Sequence, residues 1–284
     1  MILTEALRAS PALLVAACGL LGLIVGSFLN VVSLRLPRML HAQAECECRE
    51  ILALPPEPPE PPARLSLLYP PSTCPACGSR IKPWHNVPVL GWLWLRGRCA
   101  ACRAPISLQY PAVELAAGLA GAVCAWRFGF GLQLAAALPL SWALLALAVI
   151  DVREQLLPDD ITLPLVWAGL ALSCLGVFAA DPPASIAGAL AGYLSLWSIY
   201  HAFRLLTGKK GMGYGDFKLL MALGAWLGIR ALPAVVLLSS AAGAVVGIGL
   251  ILLRGHGRDT PIPFGPFLAG AGWLTLVAGK ALIL

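Results

Sequence analysis

Long apolar stretches separated by short polar ones dominate this chain. Runs rich in Leu, Ala, Val and Ile occupy residues 11–36, 111–126, 130–150, 161–180, 185–203, 219–229, 231–253 and 264–284. About 20 apolar residues in a helix cross a bilayer, so the pattern predicts an all-α polytopic membrane protein with about eight transmembrane helices. The second run carries Glu114 near its start, the sixth is short, and the eighth holds Lys280 near its end. Those three therefore require tilt, snorkelling or burial against neighbouring helices. Within the first run, Val15-Ala16-Ala17-Cys18 has the form of a lipoprotein cleavage box. The apolar run continues to Leu36, however, whereas a cleaved signal has an apolar core of roughly 7 to 15 residues, so it reads as a retained anchor.

The polar residues divide the chain into a first transmembrane helix (1–36), a soluble segment (37–110) and a seven-helix membrane domain (111–284). The soluble segment contains Glu45-Cys46-Glu47-Cys48 and then a run of prolines and glutamates at 55–62. Proline's fixed φ makes that run an extended, stiff spacer.

Composition agrees with a bilayer setting: 59% of the 284 residues are hydrophobic and 12% charged, against about a quarter charged in soluble domains. The net charge is +6, and its distribution carries the information. With eight spans and both termini outside, sixteen of the twenty Lys and Arg residues fall on one side: nine in residues 35–103, then Arg153, Arg204, Lys209, Lys210, Lys218, Arg254 and Arg258. Lys and Arg collect on the cytoplasmic side. The charge therefore sets topology and favours anionic lipid headgroups; no nucleic-acid motif accompanies it.

Two knuckles, Cys74-Pro75-Ala76-Cys77 and Cys99-Ala100-Ala101-Cys102, lie 21 residues apart, close to the spacing of structural zinc sites. Four thiolates close the coordination shell, so Zn2+ held by Cys74, Cys77, Cys99 and Cys102 is structural. Gly78 and Gly97 supply permissive turns beside the knuckles. Two disulfides are the alternative, disfavoured in a reducing cytoplasmic loop. Cys18, Cys124 and Cys174 sit in apolar spans and read as small buried hydrophobes. Cys46 and Cys48 read as free thiols in a flexible stretch, with a second metal pair as the alternative.

Asp151 directly follows one apolar run, and Asp216 precedes another within Gly213-Tyr214-Gly215-Asp216. Ionisable groups at the membrane boundary point to function and require a partner. Two neighbouring carboxylates share a proton, the arrangement used by aspartic proteases. Taken singly, each acid also fits a plainer role: Asp151 a solvated interfacial charge, Asp216 an N-cap. Asp159 and Asp160 fit a turn leading into the fourth span. Glu114 fits either helix-terminus stabilisation or a site role. As a pair, the acids also fit a proton or cation relay in a transporter or channel.

Together these residues resemble the type IV prepilin peptidases over essentially the whole chain. The resemblance is carried by Gly26-Ser27-Phe28-Leu29-Asn30, Arg35-Leu36-Pro37, Asn86-Val87-Pro88, both cysteine knuckles and Tyr110-Pro111-Ala112-Val113-Glu114. It continues in Ile150-Asp151, Leu157-Pro158-Asp159, the Gly-x-Gly-Asp element at Gly213 to Asp216, and Ile262-Pro263-Phe264-Gly265-Pro266-Phe267. The resemblance implies a bacterial inner-membrane aspartic endopeptidase with catalytic Asp151 and Asp216 on the cytoplasmic side, and makes 37–110 a methyltransferase-associated zinc domain. It implies cleavage of a short basic leader from prepilins or type II secretion pseudopilins, after a glycine. It also implies methylation of the new N-terminal amine from S-adenosylmethionine. Gln109 and the 55–62 run depart from the family's pattern. Presenilin-type proteases share the Gly-x-Gly-Asp element but place their acids deeper.

Overall fold

The computed structural model describes residues 2–54, 65–178, 180–208, 212–254 and 262–279. The proline run at 55–62 and the cations Lys209, Lys210, Arg258 and Lys280 lie outside the described residues. Two compact units make up the chain, Met1–Gly129 and Phe130–Leu284.

In the first unit, α1 (Ile2–Ala9) leads into α2 (Pro11–Ile51), with Ser10 capping α2 by accepting from the Leu13 N–H at 3.3 Å. A 3-10 turn (Pro83–Asn86), the short α3 (Leu90–Trp94) and α4 (Gln109–Phe128) follow. Helix α2 does not stop at Leu36. It passes through Pro37 and runs to Ile51, because the residues beyond are strong helix formers reinforced one turn apart by Gln43–Glu47 and Arg49–Glu45 contacts. Cys46 and Cys48 accordingly sit exposed on a helix, and the expected flexible stretch is corrected there.

Helices α2 and α4 pack backbone to backbone. A Cβ on Gly22 would collide with the Ala117 carbonyl, and one on Gly26 would lie 2.6 Å from the Glu114 Cα. Small residues permit such approach where lipid offers no hydrophobic drive between helices.

The second unit comprises α5 (Leu132–Glu154), α6 (Asp159–Cys174), α7 (Pro182–Thr207), α8 (Tyr214–Leu227), α9 (Leu232–Arg254) and α10 (Gly265–Ala278). Gly188 of α7 and Gly224 of α8 face each other so closely that a Cβ on either meets the other's carbonyl. Trp226 of α8 donates from Nε1 to the Leu165 carbonyl of α6 at 2.7 Å, and Trp273 of α10 donates to Ser141 Oγ of α5 at 3.0 Å. Each amphipathic ring thus finds a polar partner in the core.

Each apolar run of the sequence contains a helix among the described residues. Among the described residues, three helices are long and apolar enough to cross a membrane: Pro11–Ile51, Leu132–Glu154 and Ile229–Leu250; Gly265–Ala278 is a shorter apolar helix. Helix α8, with 14 residues, is about 21 Å long at 1.5 Å per residue, short of a hydrocarbon core of about 30 Å. Of the three cysteines expected to be buried, Cys18 and Cys124 are, whereas Cys174 ends α6 and is exposed.

Candidate active site and metal centre

In the second unit, Asp151 lies in the last turn of α5 and Asp216 in the first turn of α8, 5% and 7% exposed respectively. The plainer alternative for Asp151, a solvated interfacial charge, does not hold. Its Oδ2 accepts from the Gly265 N–H at 2.9 Å, and this bond is buried. Gly265 opens α10, so Asp151 satisfies one of the amides left free at a helix N-terminus, where the helix dipole favours an anion. Glycine is required here: a Cβ on residue 265 would stand 2.6 Å from Asp151 Oδ2 and 3.1 Å from its Cγ. The Ile262 to Phe267 element therefore acts on Asp151 directly, a role that no spacing in the sequence discloses.

Asp216 is the third residue of α8, and Gly213 is the N-cap. The carboxylate reaches back to accept from the Gly213 N–H, the reciprocal half of a capping box. The capping role expected of Asp216 is thus present, exercised from the third helical position and not from the N-cap itself. It leaves Oδ1 buried with no partner among the described residues, and a buried acceptor without a donor is costly. The charge of Asp151 acts on Asp216 through space.

Leu157 sets the local spacing. It is 7% exposed, and its side chain lies against both glycines: a Cβ on Gly215 would fall 2.7 Å from Leu157 Cβ, and one on Gly265 3.2 Å from Leu157 Cδ2. The turn carrying it begins at Gln155, whose left-handed φ of 51° ends α5 while its N–H bonds to the Asp151 carbonyl. Asp159 opens α6 as expected, and both its oxygens accept from Lys218 Nζ at 2.7 Å. That pair fastens the start of α6 to α8 two residues beyond Asp216. Tyr200, Tyr214 and Phe217 form an aromatic cluster at the start of α8, with centroids 5.3–5.8 Å apart; α7 contributes Tyr200, which sequence patterning does not single out.

Such an arrangement supports acid–base chemistry on a peptide: one buried carboxylate held by a helix start, and a second with an oxygen free to carry the shared proton. Gly265→Ala is expected to lower peptide hydrolysis by about 100-fold, the scale of an approximately 1 Å misplacement. The loss belongs in kcat, with the helical signal unchanged; wild-type kcat in this variant would remove Gly265 from the site.

In the first unit, the sulfurs of Cys74, Cys77, Cys99 and Cys102 all lie within 4.8 Å of one another. Cys74 Sγ and Cys102 Sγ are 3.8 Å apart, and a tetrahedron with Zn–S of about 2.3 Å has an edge of about 3.8 Å. The donor set fits zinc. Each knuckle is built alike: Gly78 N–H donates to the Cys74 carbonyl and Arg103 N–H to the Cys99 carbonyl, and isolated antiparallel bridges, Thr73 with Arg80 and Arg98 with Pro105, close the two loops. Gly78 and Gly97 take positive φ, 69° and 66°, as expected; Arg103 also does so, at 61°, where the first knuckle has its glycine. Backbone amides of Cys102 and Ala101 pull the Cys99 thiol down to about 6, favouring the thiolate that binds metal.

Glu114 is buried in α4 and accepts from the Val89 N–H at 2.7 Å, so it is not a surface charge at a helix end.

The family described as Bacterial Peptidase A24 N-terminal domain matches residues 20–128, which hold all four cysteines. The Type IV leader peptidase family matches residues 138–248, which hold both aspartates. The prepilin leader peptidase/N-methyltransferase of Stutzerimonas stutzeri is 50% identical over 97% of this chain and 94% of its own length. The protein of the same name from Aeromonas hydrophila is 52% identical over 99% and 96%. The chain belongs to the type IV leader peptidase family. A further family member, from Pseudomonas aeruginosa, is 50% identical over 98% of this chain and 94% of its own length. No solved structure matches the chain.

Proposed function

We propose that this chain is an inner-membrane enzyme that removes the leader of type IV prepilins or type II secretion pseudopilins and N-methylates the residue so exposed. The observation that carries the hydrolytic half is the buried Asp151–Asp216 pair, with Asp151 held by Gly265 and Asp216 Oδ1 left without a partner among the described residues. Asp151, whose Oδ2 faces a helix N-terminus, is the ionised member and takes a proton from the attacking water. Asp216 carries the shared proton and donates it toward the scissile carbonyl oxygen. As the tetrahedral intermediate collapses, the C–N bond breaks and the leaving amine is protonated by the dyad.

The catalytic set is Asp151 and Asp216. Cys74, Cys77, Cys99 and Cys102 hold Zn2+, which supplies a structural staple with no open coordination position. S-adenosylmethionine supplies the methyl group. Methylation is assigned to the first unit, within 37–110 and the helices that carry it; the separate Type IV leader peptidase match around both acids supports that division.

The relay reading of the two acids is not favoured by the chain's relatives. The experiment that tests the function scores leader removal and amine methylation separately on a synthetic prepilin. It uses the detergent-solubilised chain beside its Asp151→Asn and Asp216→Asn variants, and a wild-type chain that leaves the leader intact would reject the reading.

Helices α2 and α4 to α10 make eight spans, with the zinc lobe and both acids on the cytoplasmic side. The basic residues flanking the spans support that orientation. A reporter active only in the cytoplasm is expected to work when fused after Arg153 and after Arg204; an inactive fusion at either point would overturn the topology.

A further inference from the structure

One buried carboxylate takes no part in the dyad. Glu114 of α4 is 7% exposed, and its hydrogen-bond donors are the Val89 N–H at 2.7 Å and the side chain of Ser27 on α2. Val89 holds a conformation that a β-branched residue rarely adopts, φ 61° and ψ −50°. The Leu90 N–H closes on the Pro88 carbonyl at 2.6 Å, making the strained, positive-φ form of the γ-turn. Backbone strain of this kind persists only where its surroundings enforce it, and the carboxylate is the group that holds the Val89 N–H in place.

Asn30 lies one helical turn beyond Ser27 on α2. Its Nδ2 donates to the Gly26 carbonyl at 3.3 Å and to the Tyr110 carbonyl at 3.1 Å. Tyr110 lies one helical turn before Glu114, and Gly26 packs on the Glu114 Cα. Helical side chains lean toward the N-terminus of their helix, so Glu114 leans toward the level of Asn30. The amide is 2% exposed, and Asn30 Oδ1 has no partner among the described residues. Both Nδ2 bonds run to carbonyls, which fixes the amide orientation and leaves Oδ1 as a buried acceptor without a donor among the described residues.

A buried carboxylate and a buried, unpartnered carbonyl on adjacent turns match a primary ammonium group, which has three N–H donors and one positive charge. We propose that Ser27, Asn30 and Glu114 form the seat of the amine that becomes methylated. The inference rests on the methyltransferase reading above. The ammonium displaces the Val89 N–H from Glu114, and the strained turn relaxes as it lets go. Glu114 then accepts one proton from the ammonium, freeing the nitrogen lone pair. A C–N bond forms as the C–S bond of a sulfonium methyl donor breaks, leaving a neutral thioether, a methylated ammonium and a protonated Glu114. Charge and protons balance without a further reactant.

Glu114→Gln separates this role from a structural one, because the amide oxygen still accepts from Val89 while the charge is gone. The assay uses a leader-free peptide with a free N-terminal amine, with zinc content and prepilin cleavage measured on the same preparation. Methylation is expected to fall by about 100-fold, the scale of a lost proton acceptor, with cleavage and zinc content unchanged. Wild-type methylation in Glu114→Gln would overturn the proposal. Should that variant lose zinc and cleavage together, Asn30→Ala decides: a several-fold higher KM for the peptide supports the site, and an unchanged KM overturns it. A peptide acetylated at its N-terminus but carrying a free lysine is expected to stay unmethylated; methylated lysine would overturn the assignment to the N-terminal amine. A wild-type chain that methylates no peptide rejects the methyltransferase reading itself, a result distinct from equal methylation by wild type and variant.

Discussion

Asp151→Asn and Asp216→Asn are each expected to lower leader cleavage by on the order of 10²–10⁴-fold, the contribution of a positioned acid or base. The amide keeps the size of the carboxylate and removes its proton chemistry. In Asp151→Asn the side-chain carbonyl still offers an oxygen to the Gly265 N–H, held at 2.9 Å by the carboxylate in the wild-type chain, so the start of α10 keeps its partner. In Asp216→Asn the side chain likewise still accepts from the Gly213 N–H. Both variants are therefore expected to fold, to retain zinc, and to methylate a peptide supplied without its leader. If the two acids share a proton as proposed, the double variant should be little worse than either single one, as found for groups that share a step. Cleavage at the wild-type rate in either variant would exclude the dyad, and additive losses would exclude a shared proton.

Removing the metal has the second-largest expected effect, confined to the first unit. The lobe that carries the cysteines has little core of its own: Leu68, Trp84 and Trp94 are 87%, 54% and 77% exposed, and its regular structure is a short 3-10 turn, a five-residue helix and two isolated bridges. Such a lobe depends on its metal for folding. Cys74→Ser, at the buried corner of the cluster, is expected to lower zinc from about one ion per chain to near zero and to abolish methylation. Leader cleavage, assigned above by proposal to the second unit, should persist. A purified wild-type chain without zinc under non-chelating conditions would reject the metal centre.

The two sites differ in how much of them could be read from the chain. The four-cysteine cluster was legible because its members come in local pairs: a Cys-x-x-Cys knuckle turns on itself, and only two such turns had to meet. The aspartates were legible one at a time, each by its place at the edge of an apolar run. What holds them was not. The Gly265 amide lies 114 residues from Asp151, and nothing in the Ile262 to Phe267 element marks it as a carboxylate ligand. Arg103 escaped notice because its left-handed conformation stands where glycine is expected. The extension of α2 to Ile51 was not legible, because the apolar run that marks the span ends at Leu36 and the helix continues through Pro37 in polar sequence.

The sequence alone determined the helices, through runs of apolar residues whose length depends on no distant contact, and it determined the four cysteines and the two acids as candidates. Only the tertiary structure decided the environment of those acids. Burial, an orphaned Oδ1 at Asp216, the Gly265 amide on Asp151 and the hold of Glu114 on Val89 all arise between segments far apart in the chain. The physical reason is one of range: hydrophobic patterning is summed along a segment, whereas a carboxylate's chemistry is set by the few donors and charges within hydrogen-bonding distance, which the fold supplies.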